Sequence, residues 1–241
     1  NYQNSQVIFK NNALSVRPIR CIDVAHSLPV NQVNPGDSII FSFPGQMPNC
    51  ISTLNLKLLI QGYMNGVGNM TPVLSNQNQE SKLGDCDSIT IELHEAFPPF
   101  NTAYINKAVM NQSGEAVCHF PQLSQPYFIA IKHRNVLETW SANPIQFLQP
   151  EVNYDFTTNA NQAFGQNQYQ VSPGKWAFYS GDINQDANVD LDDFALLELA
   201  NSQFEYGYKS EDLNGDGGVD LLDIAFIEPN ISDFIFSQKP Q

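Results

Sequence analysis

Two stretches of this chain place oxygen-bearing side chains at the spacing with which a twelve-residue loop wraps a hard cation. In the first, Asp182, Asn184, Asp186, Asn188, Asp190 and Asp193 occupy positions 1, 3, 5, 7, 9 and 12; thirty residues later Asp212, Asn214, Asp216, Gly218, Asp220 and Asp223 occupy the same positions. Side chains at 1, 3, 5, 9 and 12 with a main-chain carbonyl at 7 form an oxygen cage suited to calcium. The spacing therefore predicts two bound Ca2+ ions. The plainer alternative is a pair of acidic, solvated loops without metal, but a full match in both copies, in one register, argues against chance. Position 6 turns the backbone sharply and favours glycine. Gly217 meets that need and Ala187 does not, so the first loop is expected to be strained and to bind calcium more weakly. Asp193 and Asp223 stand where a standard EF-hand carries Glu, so each loop must close more tightly round a shorter arm.

The elements that position these loops can be read on either side of them. Leu191, Phe194, Leu197 and Leu199 follow the first, and Leu221, Ile224 and Ile227 the second, with the period of short amphipathic helices. No helix is expected before either loop: Lys175–Gly181 reads as a strand and Glu205–Glu211 as a turn. The thirty-residue offset also aligns Ala195 with Ala225, Leu197 with Ile227, Glu198 with Glu228, Phe204 with Phe234 and Tyr206 with Phe236, so the repeat extends into the packing residues. A calcium loop followed but not preceded by a helix, duplicated in tandem over about 180–238, resembles the dockerin domain. That resemblance implies a small helical domain with two calcium ions, and a cohesin-like protein as a candidate partner. Leu221, Leu222, Phe234 and Phe236 are the candidate partner-binding residues; the alternative is that they pack between the helices or against the rest of the chain.

Charge is concentrated in the same region. Residues 182–233 hold fourteen Asp and Glu against the single base Lys209, a net of −13 within a chain total of −14. Two calcium ions would offset four of those charges, so calcium is expected to act as a folding ligand here. Without a basic stripe the surface does not suit nucleic acid. No apolar run reaches the roughly 18 residues of a membrane span. Asn1–Ser5 does not read as a signal peptide, so the chain is expected to start after any targeting segment. Loops of this kind fill readily in calcium-rich fluid, which points to a secreted, cell-surface location. In an oxidising compartment the four cysteines allow the pairs Cys86–Cys118 and Cys21–Cys50, against the alternative of four buried thiols.

Upstream, the pattern is mainly β. Leu54–Ile60, Ser88–His94, Thr102–Val109, Ala116–Phe120 and Tyr127–Lys132 alternate apolar and polar residues, with a turn at Asn111–Gly114. The fold class expected is an antiparallel β-sandwich over 54–174 followed by a dockerin-like domain over 175–241; residues 1–53 read as N-terminal strands, an extra layer or the end of a preceding domain. Residues 141–174, rich in Asn, Gln and Pro but studded with aromatics, read as an ordered connection or edge strands, and the direct run from Trp176 into Gly181 leaves no spacer, so rigid packing is expected. The run Ser113–Ile131, with its glycine turn, aromatic strand and Tyr-x-Ile-x-Ile, is similar to prealbumin-like, carboxypeptidase-regulatory-type sandwiches. A sandwich feeding into such a pair of loops resembles the C-terminal regions of large secreted surface proteins of Bacteroidota-type bacteria.

Lys132, His133, Arg134, Asn135, Glu138 and Trp140 form a dense polar cluster with two readings. Either Trp140 stacks on a sugar while Arg134 or Glu138 binds its hydroxyls, or Trp140 packs inside and the charges cap a loop. No G-x-S-x-G, H-E-x-x-H or phosphate loop is present. His94 and His119 sit at strand positions, and Glu92, Glu95 and Glu138 read as solvent-facing acids, so no enzyme activity is expected. Three functions compete: a structural, adhesive calcium-binding module of an extracellular assembly engaging a protein partner or its own copies, a docking module, and a carbohydrate-binding sandwich.

Overall fold

The computed structural model describes residues 51–66, 68–79 and 82–241, and Ile51–Gln241 form one compact unit. The expectations for 1–53 lie outside these residues up to position 50, as does the pair Cys21–Cys50. Strand β1 (Ile51–Lys57) begins three residues earlier than its alternation predicts.

Two sheets face each other. β4 (Glu115–Pro121), β1 and β7 (Glu151–Asp155) form one; β3 (Thr102–Asn111), β2 (Asp85–Glu95), β5 (Tyr127–His133) and β6 (Val136–Trp140) form the other. Alternation places Leu54 and Leu56 of β1, Ile89, Ile91 and Leu93 of β2, Ala116 and Phe120 of β4, and Ile129 and Ile131 of β5 in a common core. The sandwich is not wholly antiparallel, because β7 runs parallel to β1. The connection from β1 to β7 runs through all of β2–β6, and residues 141–150 return the chain from β6 to the first sheet. The outer face of the four-stranded sheet is also covered: Phe128, Ala130 and Trp140 pack with Phe100 and Phe164. This second apolar layer makes β5 buried on both faces, where one-sided alternation predicts a wet face.

The boundary expected at 174/175 cuts a hairpin, since β8 (Tyr169–Ser172) pairs with β9 (Lys175–Ala177). Cys86 and Cys118 are both free and buried; they lie on strands of opposite sheets, and the Cys86 thiol donates to Thr71 O, so the expected disulfide is replaced by two small core side chains.

After a short helix α1 (Val73–Asn76) and the strands come α2 (Leu191–Ser202) and α3 (Leu221–Ser232), one behind each acidic loop. Their core of Ile183, Val189, Leu197, Leu213 and Ile227 is completed by Leu137 of β6. Gln61 Oε1 accepts from Asn230 Nδ2 at 2.8 Å and from Ser180 N at 3.1 Å, and Leu137 N–H donates to Tyr179 O. The helices are thus built onto the sandwich without a spacer, as the run from Trp176 to Gly181 predicts.

A β-bulge at Cys86 turns two successive side chains inward and delivers Asp87 to the interior, fully buried. Its carboxylate accepts from Tyr63 OH, from Arg134 Nε at 3.1 Å and from Tyr208 OH. His133 Nε2 stands 3.0 Å away, at ion-pairing distance though off the hydrogen-bond line, while its Nδ1 accepts from Asn135 N–H. Burial alone would raise the Asp87 pKa, but His133, Arg134 and Tyr208 hold the carboxyl well below the usual range. Because Tyr208 lies between the two acidic loops and the Arg134 guanidinium stacks 4.3 Å from its ring centroid, this cluster clamps the inter-loop segment to the sandwich. Asp87→Ala leaves Arg134 uncompensated inside the protein, and is expected to cost about 3–5 kcal/mol; the midpoint of urea unfolding measures it.

Candidate metal centre

Each acidic loop is organised by its own carboxylates. At position 12, Asp193 Oδ1 accepts from Ile183 N (2.8 Å) and Asn184 N (3.0 Å), while Oδ2 accepts from Asp190 N. Asp223 repeats this with Leu213 N, Asn214 N and Asp220 N at distances within 0.1 Å. The same residue is the third of its helix and closes a capping box with Asp190 or Asp220, so the helix N-terminus, which favours negative charge, places ligand position 12. At position 1, Asp182 accepts from Asp186 N and Ala187 N, and Asp212 from Gly215 N and Gly217 N. Positions 3 and 5 are joined by Asn184 Nδ2 to Asp186 Oδ2 and Asn214 Nδ2 to Asp216 Oδ2, both 3.0 Å. Asn188 and Gly218 bring their N–H groups to the position-5 carboxylates.

The carboxylates are thus spread over main-chain amides, and among the described residues no three acidic, imidazole or thiol side chains converge on a point. Their setting nevertheless fits a hard cation. Asp182, Asp193, Asp212 and Asp223 are at most 2% exposed. Desolvation by burial, reinforced by Asp193, pushes the Asp182 carboxyl up to about 7; desolvation pushes Asp223 up to about 6 and raises Asp193 and Asp212. Burial outweighs every compensating interaction here, including the nearby Arg134 charge at Asp212, so these carboxylates are under-compensated. In the calcium reading Asp182, Asn184, Asp186, Asp190 and Asp193, with the Asn188 carbonyl, would hold one ion; Asp212, Asn214, Asp216, Asp220 and Asp223, with the Gly218 carbonyl, would hold the other.

The expected strain in the first loop is present and is doubled. Ala187 has φ 75° opposite Gly217 at 95°, and position 4 also turns left-handed, with Gln185 at 62° opposite Gly215 at 74°. The second loop carries glycine at both turns and the first at neither. The loops are also closed crosswise. Val189 N–H donates to Ile235 O and Ser237 N–H to Ala187 O, so the chain after α3 seals the first loop. Val219 N–H donates to Glu205 O and Gly207 N–H to Gly217 O, so the chain after α2 seals the second.

Leu221, Leu222, Phe234 and Phe236 are exposed, and so are their counterparts Leu191, Phe204 and Tyr206. The alternative of packing between helices or against the sandwich is thereby set aside. Trp140, by contrast, is 5% exposed, 4.2 Å from the His94 ring, with its indole N–H donating to Glu138. It cannot stack on a sugar, and the cluster around it is the β5–β6 hairpin. Glu92 is buried too, between His94 and Lys132, rather than solvent-facing. Among the described residues, two outside the repeat hydrogen-bond Asp212 of the second loop: Gln77 Nε2 donates to Asp212 Oδ2 at 2.7 Å and Asn135 Nδ2 to Asp212 O at 2.9 Å. Contacts spanning 135 and 77 residues leave no local signature in sequence.

No protein-family profile matches the chain, and no curated protein does. Among solved structures it is similar to two crystal structures of interface mutants of a type II cohesin–X-dockerin complex from Acetivibrio cellulolyticus. The likeness has 16% and 15% identity and TM-scores of 0.45 and 0.42, covering 76% of this chain and 99% of each of theirs. So remote a likeness carries no argument about this chain, and the reading that follows rests on its own residues.

Two outcomes follow from the loop geometry. Ala187→Gly relieves a left-handed turn and is expected to stabilise the protein by about 1 kcal/mol, read as a raised thermal midpoint in chelator. Groups whose folded pKa is raised stabilise the fold at pH below their ordinary value, near 4, and that contribution is lost as pH climbs through about 6 to 7 for Asp223 and Asp182. The chelated protein should therefore melt several degrees lower at pH 8 than at pH 5, and the increment added by calcium should grow over the same range.

Proposed function

We propose that residues 182–238 hold two calcium ions and act as a dockerin-type protein-docking module, mounted rigidly on a β-sandwich, in a secreted, non-catalytic protein of a cell surface or extracellular assembly. One observation carries the docking part. Both helices end in a Schellman turn: at α2, Phe204 N–H donates to Asn201 O and Glu205 N–H to Ala200 O, and at α3, Phe234 N–H donates to Ile231 O and Ile235 N–H to Asn230 O. The left-handed residue such a turn needs is ordinarily glycine; in both copies it is phenylalanine, at φ 52° and 54°, exposed by 85% and 84%. A bulky residue is strained there, and an apolar one in water gains nothing from burial. Both penalties occur twice at equivalent positions, which supports selection for contact with a protein partner, for which a cohesin-like domain is the candidate.

A second role, calcium as stiffener of the junction, is favoured by Leu137 completing the repeat's core and by the Asp87 clamp. The two roles are compatible, since a docking face is precise only on a rigid mount. Phe204→Gly with Phe234→Gly is expected to raise the thermal midpoint while weakening calcium-dependent binding to a cohesin-like domain at least about tenfold, the loss of two exposed aromatic anchors. Surface plasmon resonance with calcium and with chelator reads the second effect. Unchanged binding by the double variant counts against docking through this face, and a thermal midpoint indifferent to calcium removes the metal.

A further inference from the structure

We propose that the sandwich is part of the second calcium site, with Gln77 acting as a positioning residue for Asp212 and Asn135 securing the main chain behind it. This rests on the calcium reading above and concerns a difference in how two otherwise similar loops hold their position-1 residue. Among the described residues, every hydrogen bond to the position-1 residue of the first loop comes from the loop itself: Asp186 N–H and Ala187 N–H hold the carboxylate, and the side chain of Gln185, at position 4, donates to the Asp182 carbonyl.

In the second loop position 4 is Gly215, which has no side chain to give. Asn135, from the β5–β6 turn, donates to the Asp212 carbonyl in its place, and Gln77, which caps the C-terminus of α1, adds a donor to the carboxylate for which the first loop has no equivalent. The glycine is required by the contact itself. A Cβ at Gly215 would stand 2.4 Å from Val73 Cγ2 and 3.2 Å from the Tyr63 ring, so the loop cannot keep its own glutamine and also lie against the sandwich. Gln77 Oε1 and Asn135 Oδ1, the remaining acceptors of those two amides, are buried with no donor among the described residues, and an unsatisfied acceptor is a costly thing to keep beside a carboxylate unless positive charge is brought there.

The second site is therefore assembled by two parts of the fold and the first by one. Loss of a hydrogen bond to a charged ligand translates into about tenfold in affinity, confined to the second site.

The test is calorimetric titration of the full chain with calcium alone, in two backgrounds. Asp182→Ala leaves the second site and Asp212→Ala leaves the first. Gln77→Met, which keeps the length of the side chain without its donor, should raise the calcium Kd about tenfold in the Asp182→Ala background and leave it unchanged in the Asp212→Ala background. Gln185→Ala should do the reverse. Gln77→Met should also lower the thermal midpoint in chelator, since its hydrogen bond to Asp212 is present without the ion, but a merely structural role for Gln77 would leave the calcium Kd of the Asp182→Ala background unchanged. Gln77→Ala repeats the comparison should the methionine variant fold poorly. Equal effects of Gln77→Met in the two backgrounds, or none in either, overturn the proposal while leaving two calcium sites standing. Absence of calcium binding by the unmodified chain overturns the calcium reading itself.

Discussion

Four carboxylates withdrawn from water, Asp182, Asp193, Asp212 and Asp223, set the terms for the last quarter of this chain. Each holds two or three main-chain amides and thereby shapes its loop, and each stands in a segment of net charge −13. Amide dipoles organise a carboxylate but do not neutralise it, so burial raises their pKa values. Such a segment can be a stable fold at neutral pH only if something positive joins it or if the remainder of the molecule holds it in place. The chain shows the second provision directly and has the oxygen donors for the first.

That second provision is the sandwich. Its Leu137 fills the repeat's core, its Gln61 is bonded by Asn230 of the last helix, and its buried Asp87 takes the hydroxyl of Tyr208 from between the loops. Asp87 differs from the loop acids in having its counter-charges built in, and its pKa moves down where theirs move up. The two kinds of buried acid are alike in burial and opposite in provision. One is a closed ion cluster that fixes geometry; the other is an open one, suited to an ion that comes and goes.

Much of this was legible from residue spacing. The helix behind each acidic loop, five of the sandwich strands and the strain at Ala187 all follow from local pattern, because loops, caps and alternation are local physics. What escaped the sequence is non-local or depends on small departures from regularity. The bulge at Cys86 that buries Asp87 changes the facing of one residue. The second apolar layer over β5 comes from Phe100 and Phe164, far apart in the chain, and it converts Trp140 and Glu92 from surface groups into interior ones. Pairing of Cys86 with Cys118 followed from an even count of cysteines, which carries no information about which sheet each occupies. The positive φ of Phe204 and Phe234 is concealed because nothing in a phenylalanine announces a left-handed turn.

The crosswise sealing of the loops has a temporal consequence. The first loop is completed by Ile235 and Ser237, the second by Glu205 and Gly207, so in a chain made from its N-terminus the loop that is translated first is sealed last. The second loop has its sealing segment already synthesised when its own residues appear, along with the sandwich that supports it. During synthesis the earlier loop stays open, with five aspartates and no closing strand, until Ile235 and Ser237 arrive.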